Sequence, residues 1–419
     1  MTQKKLLALL LMLWLGWPIT GQAKDNCLVI LTSFSELPFK GLVDKFSARE
    51  QCEVRVIYRR TLPAIRLLTD GNQPKVDLVV SSSPTLFQTL HQQKLLAPLG
   101  KLSNVPSWLA PHSLPASDYV LPVAYSGIGL MFNRDYLDKY KLPQPRSWQD
   151  FAQPGFNGHV MMSSPSHSGT THMMVENILQ SEGWDKGWAL LMRIGGNLAS
   201  LSARSFGVSD AISRGLVGAG PVIDNYASAA QRHFEYVGFS YLPDTVILPT
   251  YCGLTAKAAH ADKARQFLNF LLSAEGQAIL TEPEFAKTPL NDDKLAHSTD
   301  FVIEKQQLFL RNNVIKALFE QAISQQLPKL RYTWLAIIKA QGAMKNTLKN
   351  HEVLTQAIAL ASQVPISEAE AMSPDLQAVF ADYEQQPSAQ MERTMQDWRM
   401  QVAQQLEQAM ALVRTLEYP

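Results

Sequence analysis

The chain has 419 residues, 46% hydrophobic and 18% charged, and its 38 basic residues nearly balance its 37 acidic ones. This length and composition allow two or three globular domains with large buried cores. The formal net charge of +1 gives no reason to expect a nucleic acid or an anionic membrane surface as partner, so no nucleic-acid partner is expected. Any recognition of an anion must be local.

The N-terminus has the pattern of a secretory signal peptide. Lys4 and Lys5 precede a hydrophobic run, 6-LLALLLMLWLGW-17, and small or polar residues follow it. The run is too short for an ordinary transmembrane helix. We expect cleavage after Ala23, which makes residues 1–23 the signal peptide; a retained signal anchor is the alternative. The mature protein is therefore predicted to be exported and soluble.

The three cysteines are Cys27, Cys52 and Cys252. Cys27 and Cys52 each begin a strand-like run, 27-CLVILTSF-34 and 52-CEVRVIY-58. If those strands are parallel neighbours, their starts lie close together and a disulfide fits an oxidising compartment. Cys252 is then predicted to be a buried thiol.

Strands and helices are predicted to alternate in the first part of the chain, which favours βαβ units and a parallel sheet. In such a sheet, ligands bind outside the carboxyl ends of the strands. The polar turns at those ends contain Ser33, Glu36, Ser82 and Ser83. These turns are candidate binding positions, and ordinary turn chemistry is the alternative for each.

Two β-rich segments, 119–133 and 245–257, bracket a second α/β block. Two such crossings predict two lobes joined by two strands, with a cleft between them. The predicted boundaries are 24–122 for the first part of lobe 1, 123–247 for lobe 2, 248–304 for the second part of lobe 1, and 305–419 for a helical extension.

The extension ends in a long amphipathic pattern, in which apolar residues recur at steps of three and four. This stripe can pack on the protein itself or serve as a surface for a partner helix. Its members are Met391, Met395, Trp398, Val402, Leu406, Ala409, Val413 and Leu416.

The stretch 163-SSPSHSGTTHMM-174 lies between an apolar run and a helical pattern, and it contains no acidic residue. A helix start leaves backbone N–H groups unpaired and carries positive potential, so an anion fits there. A well-capped helix is the alternative, because Ser and Thr are preferred caps. The candidate donors are Ser166, His167, Ser168, Gly169, Thr170 and Thr171.

Several segments together are similar to a known family. They include 76-VDLVVSSSP-84, 122-PVAYSGIGLMFN-133, 145-PRSWQDFAQPGFNGHVMMSSPSHSGTTH-172, 219-AGPVIDNYA-227 and 262-DKARQFLNFLLSAEGQ-277. The set resembles the type II periplasmic solute-binding proteins of ABC transporters, in the branch of iron(III)-binding, hexose-phosphate-binding and phosphoglycerate-regulatory proteins. The resemblance implies a two-lobed α/β fold with two hinge strands, here followed by a C-terminal α-helical extension.

Four further residues are candidates for the cleft. Arg204 can supply a counter-charge, because its fork matches phosphate and carboxylate oxygens; a surface arginine is the alternative. Asp224, together with Glu36, can accept hydrogen bonds from ligand hydroxyls, although Asp224 is equally well placed as a helix N-cap. Tyr125 and Tyr226 can line the cleft or pack the lobes.

Iron and catalysis are both disfavoured by the residues present. Ferric-binding relatives present two adjacent tyrosines, whereas the matching region here reads 224-DNYAS-228. The histidines have no metal-site spacing. The chain has no Gly-x-Ser-x-Gly pentad and no phosphate loop. We therefore expect no metal, no cofactor and no enzymatic activity.

The resemblance implies a periplasmic receptor that captures a small phosphorylated metabolite, such as phosphoglycerate or a sugar phosphate, and delivers it to an ABC permease. The alternative is a ligand-sensing component that signals to a membrane sensor kinase, which the extension favours. A ferric-ion-binding protein is less favoured, and an inert scaffold conflicts with the donor-rich cleft.

Overall fold

The computed structural model describes residues 26–34, 36–70, 75–100, 105–115, 118–282, 285–383 and 387–418. The predicted signal peptide lies outside these residues. Within them, no helix combines the length and the hydrophobicity needed to cross a bilayer.

The described residues form ten strands in one sheet. The strands are β1 (Asn26–Thr32), β2 (Glu53–Tyr58), β3 (Leu78–Ser81), β4 (Leu96–Ala97), β5 (Val120–Asn133), β6 (Val160–Ser163), β7 (Leu198–Ser202), β8 (Ala219–Ile223), β9 (Val237–Tyr241) and β10 (Ile247–Thr255). Their order is β2-β1-β3-β10-β5-β8-β6-β7, with β4 beside β10 and β9 beside β5.

Helices cover the strands and continue to the C-terminus. They are α1 (Glu36–Glu50), α2 (Thr61–Thr69), α3 (Pro84–Gln92), α4 (Arg134–Tyr140), α5 (Trp148–Phe151), α6 (Gly169–Glu182), α7 (Trp184–Asn197), α8 (Ser205–Ser213), α9 (Asp224–Gln231), α10 (Ala261–Leu272), α11 (Ala274–Leu280), α12 (Lys305–Phe319), α13 (Leu327–Ala343), α14 (Leu348–Ser362), α15 (Glu368–Ala371), α16 (Pro374–Phe380) and α17 (Ala389–Arg414).

The first lobe, built on β1–β4, has a parallel core. β1 pairs with β2 and with β3 in parallel, as the alternating pattern predicted. The apolar residues of β1 are buried against helices on both faces of the sheet: Leu28 and Ile30 on one side, Leu31 on the other. Burial on both faces explains why this strand reads as one apolar run.

The long strand β5 joins the first lobe to the second, which is built on β6–β9. Residues 120–127 of β5 pair with β10. Residues 128–133 pair with β8 and β9 instead. The same strand therefore belongs to both lobes, as expected for a hinge strand. The lobe boundaries drawn from the sequence stay predictions.

The helical extension does not form a core of its own. Buried residues of the second lobe and of helices α12–α17 belong to one hydrophobic cluster. At Gly196 in α7, an added Cβ would lie 2.4 Å from the Trp334 side chain of α13, so the two helices touch through a glycine. The stripe of α17 is buried against the same cluster. Of the two alternatives for the stripe, packing on the protein itself is confirmed.

The cysteine predictions are confirmed. Cys27 and Cys52 form a disulfide between the starts of β1 and β2. Cys252 in β10 is a buried free thiol.

Candidate functional site

A pocket lies between the two lobes, at the carboxyl ends of their strands. The first lobe lines it with Ser33, Phe34, Arg60, Thr61 and Ser81 to Ser83. The second lobe lines it with His167 to Thr170, Arg204 to Phe206, Ile223 and Tyr226.

Five helices begin at this pocket. Lining residues occupy the N-cap or first turn of α2, α3, α6, α8 and α9. Each helix N-terminus carries roughly +0.5 of an elementary charge together with unpaired N–H groups. Their convergence makes the pocket electropositive before any side-chain charge is counted, which suits an anion.

The start of α6 shows how the main chain contributes donors. Ser168 caps the helix, and its Oγ accepts a hydrogen bond from the Thr171 N–H at 3.2 Å. Among the residues that the structure describes, no acceptor pairs with the N–H of Gly169 or Thr170, and both residues line the pocket. The cap alternative is therefore confirmed for Ser168, and two N–H groups of the first turn remain without a partner among the described residues. Anion binding there stays a prediction.

The serines of the first lobe form a network of hydroxyls. Ser33 Oγ lies 2.7 Å from Ser81 Oγ, and Ser82 Oγ lies 2.9 Å from Thr250 Oγ1. Ser83 caps α3 by accepting from the Leu86 N–H. Because these hydroxyls already have partners, they hold the strand ends in place, and each has at most one proton to donate to a ligand.

Two arginines add full positive charge. Arg60 lies on the first lobe and Arg204 on the second, and no acidic residue occurs among the described residues that line the pocket. Burial lowers the pKa of His167 and the charge of Arg60 lowers it further, while Glu320 opposes the change. His167 is therefore neutral at neutral pH and offers a ligand one N–H group.

The lobes are in contact beside the pocket. A Cβ added at Gly169 would lie 2.5 Å from both Cβ and Oγ of Ser83, on the opposite lobe. The pocket has a cavity volume of about 40 Å³. About three water molecules fit in such a volume. The pocket therefore has the size of a small charged group, and the lobes must separate for a larger ligand to enter.

Comparison with known proteins assigns the chain to a family. The model of the bacterial extracellular solute-binding protein family matches residues 73–316, which is more than half of the chain. The chain belongs to this family. The resemblance drawn from the sequence is confirmed.

One relative of this solute-binding protein matches over nearly its full length. The phosphoglycerate transport regulatory protein PgtC of Salmonella typhimurium is 34% identical over 391 residues, which cover 90% of this chain and 94% of that protein. The match includes most of the predicted helical extension, because only about a tenth of this chain lies outside it.

Solved structures of other binding proteins share the fold. The periplasmic binding protein AfuA from Actinobacillus pleuropneumoniae, with fructose-6-phosphate bound, superposes with a TM-score of 0.58 at 16% identity, covering 75% of this chain and 99% of AfuA. The ferric binding protein from Campylobacter jejuni gives a TM-score of 0.55 at 16% identity, covering 73% of this chain and 99% of its own. At such identities the likeness establishes only the fold, which confirms the predicted two-lobed architecture.

Five of the residues predicted for the site lie outside the pocket of this solute-binding protein. Ser166 faces the extension, where its Oγ donates to the Lys316 carbonyl at 3.2 Å. Tyr125 is buried beside Trp108 and donates to the Asp292 carbonyl at 2.7 Å. Thr171 is buried inside the first turn of α6 and Glu36 is exposed at the start of α1.

Asp224, the fifth, points below the pocket. Its Oδ2 accepts from the Gly127 N–H and from the Tyr241 hydroxyl, both at 2.9 Å. Asp224 begins α9 but does not cap it with its side chain. The carboxylate thus ties α9 to the hinge strand and does not line the pocket.

Four further residues that were not predicted from the sequence also line the pocket. Arg60 and Thr61 follow β2, and Ser205 and Phe206 follow Arg204. The signal for Arg60 was present, because the turn 59-RRT-61 follows a predicted strand end like the serine turns. Among the described residues, no cluster of three or more His, Cys, Asp or Glu side chains could hold a metal ion.

Proposed function

We propose that this solute-binding protein captures a small phosphorylated organic anion, a phosphoglycerate or a sugar phosphate, in the periplasm and delivers it to an ABC-type permease. One observation carries the proposal: five helix N-termini and two arginines converge on a pocket whose described lining contains no acid. The predicted binding residues that share this lining are Ser33, Ser82, Ser83, His167, Ser168, Gly169, Thr170, Arg204 and Tyr226.

A phosphate monoester suits these donors better than a simple carboxylate. It carries about two negative charges at neutral pH and three acceptor oxygens. Arg60 and Arg204 can each donate hydrogen bonds to two phosphate oxygens. The free N–H groups of Gly169 and Thr170 can donate to a third oxygen. Because the donors come from both lobes, the ligand stabilises the closed arrangement that contacts both at once.

The relatives support the same ligand class. The name of PgtC refers to phosphoglycerate transport, and AfuA was solved with fructose-6-phosphate. Ferric ion fits the pocket poorly, since a trivalent cation would face two arginines and five positive helix ends. Tyr226 is the one tyrosine among the described lining residues, and burial raises its pKa, which disfavours a phenolate ligand.

A ligand screen tests the proposal. The mature protein is melted with 3-phosphoglycerate, phosphoenolpyruvate, fructose 6-phosphate, glycerate, fructose and ferric citrate. A ligand at a hundred times its Kd stabilises the folded state by about 2.7 kcal/mol. We expect only phosphorylated compounds to raise the melting temperature, by a few degrees. A shift with ferric citrate and none with any phosphorylated compound would refute the proposal.

A sensing role is the second candidate, and one observation favours it. The segment that precedes α6 is held by the extension: Ser164 Oγ donates to Glu320 Oε2 at 3.3 Å, and Ser166 Oγ donates to the Lys316 carbonyl. A ligand bound at the start of α6 would thus lie next to a segment that is hydrogen-bonded directly to the extension. The name of PgtC also includes the word regulatory.

A genetic experiment separates the two roles. The gene is deleted in a strain whose phosphorylated-metabolite transporter is expressed from an inducible promoter, and uptake of labelled ligand is measured. Loss of uptake indicates a transport receptor. Normal uptake, combined with loss of ligand-induced expression at the native transporter promoter, indicates a sensor.

A further inference from the structure

A buried lysine lies directly beneath the pocket and does not line it. Lys287, in the segment after α11, is 2% exposed. Its Nζ donates to Ser126 Oγ at 2.9 Å and to Ser82 Oγ at 3.4 Å. The same Nζ lies 5.1 Å from the ring centre of Phe34. Ser82 and Phe34 both line the pocket, so the ammonium group is separated from it by a single layer of side chains.

This cation has no ion-pair partner among the described residues. Its hydrogen bonds go to two neutral hydroxyls. The nearest negative influence is Asp224, whose Oδ2 is already bonded to the Gly127 N–H and the Tyr241 hydroxyl. A buried charge is costly unless it is paired. A second negative charge close to Lys287 would therefore be strongly stabilised.

Ser82 connects the lysine to the pocket. When Lys287 donates to Ser82 Oγ, the hydroxyl proton of Ser82 must point elsewhere, toward Thr250 Oγ1 at 2.9 Å or toward a ligand oxygen. The lysine thus occupies an acceptor position of Ser82, whose hydroxyl can donate to a ligand oxygen when its proton turns away from Thr250. It also adds a third positive charge to those of Arg60 and Arg204.

We infer that Lys287 is the buried charge that a bound phosphorylated anion neutralises, so that ligand binding is coupled to protonation of this lysine. The inference rests on the proposed function, because it supplies the counter-charge for that ligand class. It predicts a ligand with about two negative charges, since among the described residues three cations, Lys287, Arg60 and Arg204, are opposed by one buried acid, Asp224.

The coupling has a defined direction with pH. Burial lowers the pKa of Lys287 to about 8, while Asp224 opposes the change. An anion above it favours the charged lysine and raises that pKa. Binding is therefore strongest below pH 8, where the lysine is already protonated, and weakens above pH 8, where a proton must be taken up first.

The other groups around the lysine do not titrate in that range. The lowered pKa of His167 leaves it neutral above pH 7. Burial raises the pKa values of Tyr125 and Tyr241, so both stay neutral. Arginine side chains do not lose their proton in this pH range. A change in affinity between pH 7 and 9 accordingly reports on Lys287.

Titration calorimetry with 3-phosphoglycerate tests the inference, at pH 7 and pH 9 in two buffers of different ionisation enthalpy. For the wild type we expect affinity to fall about tenfold from pH 7 to pH 9, with proton uptake at pH 9. Lys287→Met should bind roughly ten- to a hundredfold more weakly at pH 7 and show neither effect. Lys257→Met, at an exposed lysine after β10, should behave as the wild type.

The possible failures are distinguishable. Binding by the wild type without proton uptake and with equal affinity at both pH values overturns the role of Lys287 and leaves the proposed function standing. No binding by 3-phosphoglycerate, fructose 6-phosphate or inorganic phosphate refutes both. If Lys287→Met does not fold, as judged by circular dichroism, the wild-type proton uptake alone decides the question.

Discussion

At the scale of single residues, the pocket divides its donors into two groups. The hydroxyls of Ser33, Ser82 and Ser168 are already bonded to neighbouring hydroxyls. The guanidinium groups of Arg60 and Arg204 have no acceptor among the described residues. The arginines are therefore free to bind a ligand, and the serines mainly shape the wall.

Replacing either arginine by glutamine should weaken ligand binding. A hydrogen bond to a charged group contributes about 1.5–3 kcal/mol, so Arg204→Gln and Arg60→Gln should each lose roughly ten- to a hundredfold in affinity for 3-phosphoglycerate. Arg214→Gln is the matched control, since Arg214 lies at the far end of α8 and pairs with Asp210 in solvent. Calorimetry at pH 7 measures all three variants. Unchanged affinity in both test variants would place the anion elsewhere.

The glycine at the lobe contact is a second single-residue test. Gly169→Ala places a methyl group against Ser83 of the other lobe, where the backbone of Ser83 is also close, with its Cα at 3.2 Å. The lobes should then close less fully, and affinity should fall about tenfold while thermal stability without ligand is kept. Gly41→Ala in α1 is the control, because nothing lies within 4 Å of the added methyl. Equal affinity of both variants would mean that this contact is not part of closure.

At the scale of elements, α6 connects the pocket to the extension. Its first turn lines the pocket, and Glu176 in its middle is fully buried against Arg311 of α12. Arg311 Nη2 and Nε donate to the Glu176 carboxylate at 2.9 and 3.3 Å, and Nη1 donates to Glu368. The position of the pocket helix therefore depends on an ion pair that the extension supplies.

Removing one partner of this ion pair should lower the free energy of unfolding far more than removing both. Arg311→Met leaves the Glu176 charge buried without its cation and should cost about 3–5 kcal/mol of unfolding free energy. Arg311→Met combined with Glu176→Met should recover most of that loss. Lys329→Met, which removes an exposed pair with Glu407, should cost less than about 1 kcal/mol. Urea unfolding measures all three, and a double variant no more stable than the single one would contradict the argument.

Much of the pocket could be predicted from the rule that ligands bind at the carboxyl ends of parallel strands. These ends lie at the same edge of the sheet, independently of the loop conformations. The rule located Ser33, Ser82, Ser83 and the segment before α6. It could not assign Ser166 to the extension, since that depends on where a distant helix docks. Lys287 could not be predicted for the same reason. Its position under Ser82 depends on how the chain returns to the pocket after α11, and no local sequence pattern predicts that return.

At the scale of the whole molecule, the extension and the second lobe share one hydrophobic core. Helix α17 packs on α14 and α13, and α13 packs on α7 of the second lobe. A single core of this kind unfolds cooperatively, because a loss of packing in one helix loosens the neighbours that it covers. We therefore expect the extension to unfold together with the second lobe.

A core substitution in α17 should therefore destabilise the second lobe. Leu406 is fully buried, and Leu406→Ala should cost about 2–5 kcal/mol. Hydrogen exchange should then speed up in α7 (Trp184–Asn197) as well as in α17, since both open in the same event. Leu348→Ala, at a leucine that is 77% exposed at the start of α14, should change stability by less than about 0.5 kcal/mol and leave exchange unaltered. Faster exchange confined to α17 would instead show that the extension opens independently, and coupling from the pocket to the extension would then have to run through the contacts of Ser164 and Ser166 alone.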